Sequence, residues 1–237
     1  MDINSKEFQS MIDDGYTEKM IYHYFSYVNS EKPDNFPEGY MQWAHEHGFI
    51  AGHAMALGVN EDNYKEFVSD YDFYKTWPHN SWLRMWINDK LTLKYLLAGT
   101  EWGKYMPEYY YYSMPDGLRS LMDNPYEEQD FTTFLKLLQE KRVFACKPNN
   151  GTESVGFHKL AYDTEKCAFQ LDGSDIDVAN LEHFVMNTPN YIYTEYLNPG
   201  YGMEKIQEKI HTLRMTLINE TGKNPIIVGG VCQISSG

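Results

Sequence analysis

At Arg142 the chain changes texture, and that change limits its possible folds more than any other feature. Before it, apolar residues recur at helical spacing; after it, short alternating or continuous apolar runs take over. The segments "VFACKP", "SVGFHKLAYD", "CAFQLD", "YIYTEYL", "TLRMTLIN" and "PIIVGGVCQIS" are six strand candidates. Helices are expected in this half only around "VANLEHFVMN" and "GMEKIQEKI", while "LDGSD" and "ETGKN" are turn signals. No repeat, low-complexity tract or long linker interrupts the chain. The predicted class is α+β, a helical N-terminal part followed by antiparallel α+β lobes.

The first half reads as a series of helices. Phe8, Met11 and Ile12, then Met20, Ile21, Tyr24 and Phe25, give helical periodicity across residues 4–30. "FPEGYMQWAHEHGFIAGHAMALG" is predicted to continue as helix, with Pro37 in its first turn and Gly58 as its C-terminal cap. "EDNYKEFVSDYDFYKTW" is a further short helix ending before Pro78. In "NSWLRMWINDKLTLKYLLAGT", Asn88 is the expected N-cap, with Leu93, Leu96 and Leu97 on one face. "YMPEYYYYS" is strand-like, and "DFTTFLKLLQEK" is a helix capped by Asp130 or Thr132.

Composition narrows the partners. The 237 residues suffice for one large domain or two small ones. A net charge of −14 leaves no broad basic field for nucleic acid or an anionic lipid surface. One anionic small molecule remains compatible, because charges beyond a Debye length of about 8 Å are screened and a few local cations decide. Cys146, Cys167 and Cys232 are widely spaced and fit no metal-ligand pattern, which favours a reducing compartment. With no run of 18 apolar residues and no signal-peptide pattern, the expectation is a cytoplasmic protein without a membrane span.

The stretch "VFACKPNNGTESVGFHKL" carries the chemistry. Gly151 and Gly156 have the spacing of a phosphate loop, but a Walker loop would continue with Lys-Ser/Thr into a helix, and here Phe157-His158 enters a strand. A glycine loop between antiparallel strands is a different device: a flap whose backbone N–H groups fold over phosphates while the flanking strand supplies a lysine, Lys147. Asn149, Asn150 and Thr152 add short polar side chains. An ordinary hairpin loop, with Lys147 snorkelling to the surface, accounts for the loop equally well. Three other placements, each alone equally that of a salt bridge or surface residue, shift the balance, and their cations together look like an anion site. Glu195 lies in an apolar, aromatic strand where an unpaired carboxylate would be costly. Arg214, preceded by His211, lies in another strand. Lys90 stands in the first turn of a helix, where the dipole disfavours a cation.

In order and in residues these segments resemble the ATP-grasp family. "NDKLTLKYLL" resembles its Asp-Lys helix start, "VFACKPNNGTESVGFHKL" its strand–lysine–proline–glycine-loop–strand unit, and "YIYTEYL" its hinge strand with the glutamate. "HTLRMTLIN" resembles a strand of the branch associated with sugar transfer and polysaccharide biosynthesis. The resemblance runs from about Trp77 to the end of the sequence. It implies a helical region over 1–76, a first ATP-grasp subdomain with the phosphate loop over 77–194, and the start of a second subdomain over 195–237.

The resemblance also implies roles. Lys147 would contact the α- and β-phosphates of ATP, Lys90 would reach the nucleotide from the neighbouring lobe, and the loop from Asn150 through Gly151 and Thr152 to Gly156 would close over the phosphates. Glu195, with the backbone of Tyr196 and Leu197, would read the adenine edge; Arg214, with His211 beside it, would neutralise the γ-phosphate or an acyl phosphate. Glu204 is a guess for the ribose contact. The family's magnesium ligands are expected beyond Gly237, so the second lobe is expected to be incomplete and the chain truncated. The implied activity is ligation of a carboxylate to an amine at the expense of ATP, in cell-surface or capsular polysaccharide biosynthesis. The alternative is an inactive nucleotide-binding module that positions a glycosyltransferase partner; a blander one is an interaction protein without nucleotide.

Overall fold

The computed structural model describes residues 5–77, 84–151 and 154–234. The chain divides into two units, Met1–Trp82 and Leu83–Gly237. Residues 195–237 therefore group with the strands that precede them.

The first unit is helical. Helix α1 (Lys6–Asp13) begins where Ser5 Oγ accepts the Phe8 N–H at 3.1 Å, and α2 (Glu18–Ser30) follows after a turn. Helices α3 (Tyr40–Glu46), α4 (Ala51–Ala56) and α5 (Asp70–Lys75) complete the unit. Apolar spacing predicts one helix across residues 36–58 with Pro37 in its first turn, but α3 starts only at Tyr40 and the chain breaks at Gly48. There φ is +79°, and an added Cβ would lie 3.0 Å from Tyr71 Cβ and 3.1 Å from Ser69 Oγ, so glycine permits both the turn and the close approach. The break lets α4 start against two carboxylates. Glu31 accepts the N–H groups of Ala51 and Gly52 at 3.0 and 2.6 Å, and Asp70 accepts that of Ile50 at 2.8 Å. Gly58, φ +69°, follows the last turn of α4 as expected. Phe8, Met11, Tyr16, Met20, Ile21, Tyr24 and Ile50 form one buried cluster, and Ala44, Phe49, Ala51, Ala54 and Val59 a second.

In the second unit, α6 (Arg84–Asn88) and α7 (Lys90–Leu97) precede β1 (Tyr109–Met114) and β2 (Gly117–Ser120). Helix α8 (Phe131–Lys141), capped by Asp130, leads into β3 (Val143–Pro148), β4 (His158–Asp163), β5 (Ala168–Leu171) and β6 (Ser174–Ile176). Helix α9 (Val178–Asn187) returns to β7 (Tyr191–Glu195). These strands form one antiparallel sheet of seven, in the order β2-β1-β7-β3-β4-β5-β6. The fold is α+β.

Side-chain alternation separates the two faces of this sheet. Phe144 and Cys146 of β3 face α8 and α9, where they meet Phe134, Leu137, Leu138, Leu181 and Val185 in the buried core. Burial raises the Cys146 thiol pKa far above its ordinary range, as expected of a structural cysteine. A bulge between Tyr109 and Tyr111 puts two consecutive tyrosines in this core: Tyr110 against Phe144 and Tyr111 against Phe134. Ala145 and Lys147 lie on the opposite face.

Several boundaries differ from the sequence reading. Asp89, not Asn88, caps α7, accepting the Thr92 N–H at 2.7 Å. The buried residue of α7 is Lys94, held by Pro107 O and Asp123 at 2.7 Å each, whereas Leu96 is half exposed. Strand β4 begins at His158 because the preceding residues turn through Gly156. "GMEKIQEKI" makes only a 3-10 turn, Met203–Lys205, starting after left-handed Gly202 and burying no residue. Strands β2 and β6, absent from the sequence reading, are short and partly exposed. Strands β8 (Thr212–Ile218) and β9 (Ile226–Gln233) pair with each other, and every residue of both is exposed. No helix among the described residues is long and apolar enough to cross a membrane.

Candidate functional site

On the sheet face opposite α8 and α9 lies a cleft of about 580 Å³. Ala145 and Lys147 of β3 form its floor, and Ser154 and Phe157 line it from the loop before β4. Glu195, Tyr196 and Leu197 line it where the chain leaves β7. Lys209, Ile210, Thr212, Gln233 and Ile234 line it from the β8–β9 side.

Lys147 is there because β3 alternates. Phe144 and Cys146 go to the core, so Ala145 and Lys147 must face the cleft. Among the described residues its ammonium makes no hydrogen bond or ion pair. Burial, and secondarily the charge of Lys90, lower its pKa from the ordinary lysine value. A partly buried cation without a counter-ion, in a cleft with apolar walls, is suited to an anionic ligand.

Beside it, two distant motifs interlock. Asp89 Oδ1 caps α7, and its Oδ2 accepts the side-chain amides of Asn149 and Asn150 at 2.7 and 3.2 Å. The N–H groups of Lys90 and Leu91 donate to the backbone and side-chain oxygens of Asn149 at 3.2 and 2.9 Å. The Lys90 ammonium donates to the carbonyls of Pro148, Asn149 and Gly151 at 2.8, 3.1 and 3.2 Å. Burial lowers the Lys90 pKa, opposed by the charge of Asp89. Asp89 itself is pushed up by burial, but hydrogen bonds from Thr92, Asn150 and Asn149 outweigh this and hold it below the ordinary aspartate value.

Gly156 closes the described part of the loop with φ +74°. A Cβ there would lie 2.6 Å from Tyr191 Oη and 3.0 Å from Pro148 Cγ, so no larger residue fits without displacing one of them. Glu195 is held at two points by one residue. Its N–H donates to Glu108 O at 2.8 Å, and its carboxylate Oε2 accepts the Glu108 N–H at 3.1 Å.

The structure thus brings Lys147, Glu195, Tyr196 and Leu197 to one cleft, with Asn150 and Gly151 in the adjoining loop beside Lys90. Thr152 lies outside the described residues. Arg214 shares a strand face with Thr212 but is not among the residues lining the cleft, and neither is Glu204. His211 Nε2 lies 3.2 Å from Met203 O. Two cations escaped the sequence reading. Lys209 lines the cleft. Lys159 pairs with Ala145 across the β3–β4 ladder and places its ammonium 4.9 Å from the centre of the Tyr196 ring. Strand alternation in "FHKL" could have found Lys159; nothing local singles out Lys209. Among the described residues, no three His, Cys, Asp or Glu side chains gather as a metal site.

Comparison with family models, curated proteins and solved structures found no match to this chain.

Proposed function

We propose that the Leu83–Gly237 unit binds ATP in the cleft and that the chain is an ATP-grasp protein of the carboxylate–amine ligase class, serving cell-surface polysaccharide assembly. The observation that carries this reading is Lys147: a partly buried ammonium that makes no ion pair among the described residues, on the cleft floor beside the glycine loop. The order α8, β3, glycine loop, β4–β6, α9, β7 supports it, because it contains the strand–lysine–proline–loop–strand unit and the glutamate-bearing strand as sheet neighbours. The cleft volume is in the range of small-molecule sites.

In this reading Lys147 holds the inner phosphates, and the walls formed by Phe157, Ile210 and Ile234 enclose the base. Glu195 and the backbone that follows it meet the adenine amino edge. The chemistry is attack of a substrate carboxylate oxygen on the γ-phosphorus, releasing ADP and leaving an acyl phosphate. An amine nitrogen then attacks the acyl carbon, phosphate departs, and an amide remains. Cations aimed at the charge developing on the transferred group lower such barriers; Lys147 and Lys209 are the lysines on the wall. Magnesium, when bound, would neutralise charge on the phosphates during transfer; among the described residues no three His, Cys, Asp or Glu side chains gather to hold it.

Titration with ATP and GTP, followed by phosphate release in the presence of carboxylate and amine mixtures, tests the reading. ATP should bind and Lys147→Met should weaken it at least tenfold. Binding without phosphate release would favour the module that positions a glycosyltransferase. Failure to bind any nucleotide would overturn both.

A further inference from the structure

An ammonium group has three protons, and Lys90 directs all three at one short segment. Three backbone carbonyls converging on one point repel each other unless a cation sits between them. Here the cation is covalently attached to the first turn of α7, a position where the helix dipole gives a lysine no local advantage. Its side chain bends instead to Pro148, Asn149 and Gly151. Because a trans peptide directs its N–H opposite to its C=O, turning the Asn149 carbonyl toward Lys90 turns the Asn150 N–H away from it. The carbonyls of Pro148, Asn149 and Gly151 are thereby gathered on one side.

We propose that Lys90 is a positioning residue, a tethered cation around which the Pro148–Gly151 segment folds, so that this start of the glycine loop is shaped before any ligand arrives. The Asp89–Asn149 and Asp89–Asn150 bonds fix the same segment from the adjacent N-cap, so the side-chain amides go to the carboxylate while the ammonium takes the carbonyls. Lys147 and Lys209 then remain the lysines that line the cleft, and Lys90 acts on a ligand through the loop. The proposal rests on the nucleotide reading only for what the loop holds; the loop's own shape is measured without nucleotide.

Hydrogen exchange of peptides covering residues 147–157, in the full chain without nucleotide, tests it. Lys90→Met keeps the hydrocarbon stem, Lys90→Ala opens a space the size of an alkylammonium ion, and Lys90→Gln keeps two N–H donors. Exchange in the loop should be at least tenfold faster in the Met and Ala variants and intermediate in Gln, with peptides of β4 and β5 unchanged. Methylammonium chloride, against sodium chloride, should restore slow exchange to Lys90→Ala and not to Lys90→Met. Parent-like exchange in Lys90→Met would show that the stem, not the charge, holds the loop. Fast exchange in Lys90→Ala that methylammonium leaves untouched would show general undocking of α7; either result overturns the proposal. If the Met or Ala variant fails to fold, the Gln variant decides: parent-like loop exchange overturns the proposal, intermediate exchange sustains it. A parent chain that binds no ATP would remove the nucleotide reading and leave the loop result to stand alone.

Discussion

Asp89 and Asn149 meet at 2.7 Å across 60 positions of sequence, carboxylate to side-chain amide, and join the start of a helix to the end of a strand. Asn149 is buried and Asp89 partly so. The contact is charge-assisted, and Asp89 also supplies the helix cap. Asp89→Ala should therefore destabilise the unit by about 2–3 kcal/mol, the combined scale of a lost cap and a hydrogen bond to a charged group. Urea unfolding followed by sheet circular dichroism checks this; a loss below about 0.5 kcal/mol would mean the contact is solvent-compensated.

The same residue sets an acid dependence. Its folded pKa lies below the ordinary 3.8, so the unfolded chain binds the proton more readily. Asp89's contribution is thus fully present above the ordinary value and is lost as pH falls through the lower folded value. Asp89→Asn should flatten the acid limb of the stability curve between pH 5 and 2 relative to the parent, which pH-dependent urea midpoints measure.

Lys147 carries the opposite sign. Its folded pKa is lowered, so folding disfavours its charge, and stability rises as the pH climbs through the folded value toward the ordinary 10.5. Lys147→Met should stabilise the ligand-free chain, by about 0.5–2 kcal/mol at pH 7, while weakening ATP by about 1.5–3 kcal/mol. Thermal midpoints with and without nucleotide would show the two effects crossing. A variant destabilised in both states would contradict the assignment of Lys147 as an unneutralised cation.

Gly156 and Tyr191 should be coupled. Gly156→Ala places a left-handed alanine, costing about 1–2 kcal/mol, and drives its methyl into Tyr191 Oη. Removing that hydroxyl in Tyr191→Phe should recover part of the loss, so the double variant should be more stable than the sum of the singles by about 0.5 kcal/mol or more. Additive effects would show that the strain is absorbed by Pro148 or by the backbone.

Glu195 should bias base choice. A carboxylate accepts from the amino group of adenine and repels the carbonyl that guanine presents at the same place. One of its oxygens already serves Glu108 N–H, so Glu195→Gln should narrow the preference for ATP over GTP while leaving that backbone contact possible. Competition titration of the two nucleotides checks it, and equal binding by the parent would remove the argument.

Local pattern made much of this protein legible in its sequence. The apolar runs "VFACKP" and "YIYTEYL" announced β3 and β7, and parity turned Lys147 to the other face once the fold had buried Phe144 and Cys146. The helices at Asp130 and Asp177 carried their own caps. Other features depended on partners remote in sequence. The break at Gly48 answers to Tyr71 and Ser69, and the bulge that buries Tyr110 with Tyr111 answers to β7. "GMEKIQEKI" had the periodicity of a helix but no surface on which to bury it, and a helix that short is marginal without tertiary packing. The candidate site divides the same way. Its cations and glycines were visible as residue types, but that Lys90 turns to the carbonyls of Pro148, Asn149 and Gly151 was settled by which atoms the fold brings within hydrogen-bonding distance. Hydrogen bonds act only at that range, and no spacing along the chain encodes it.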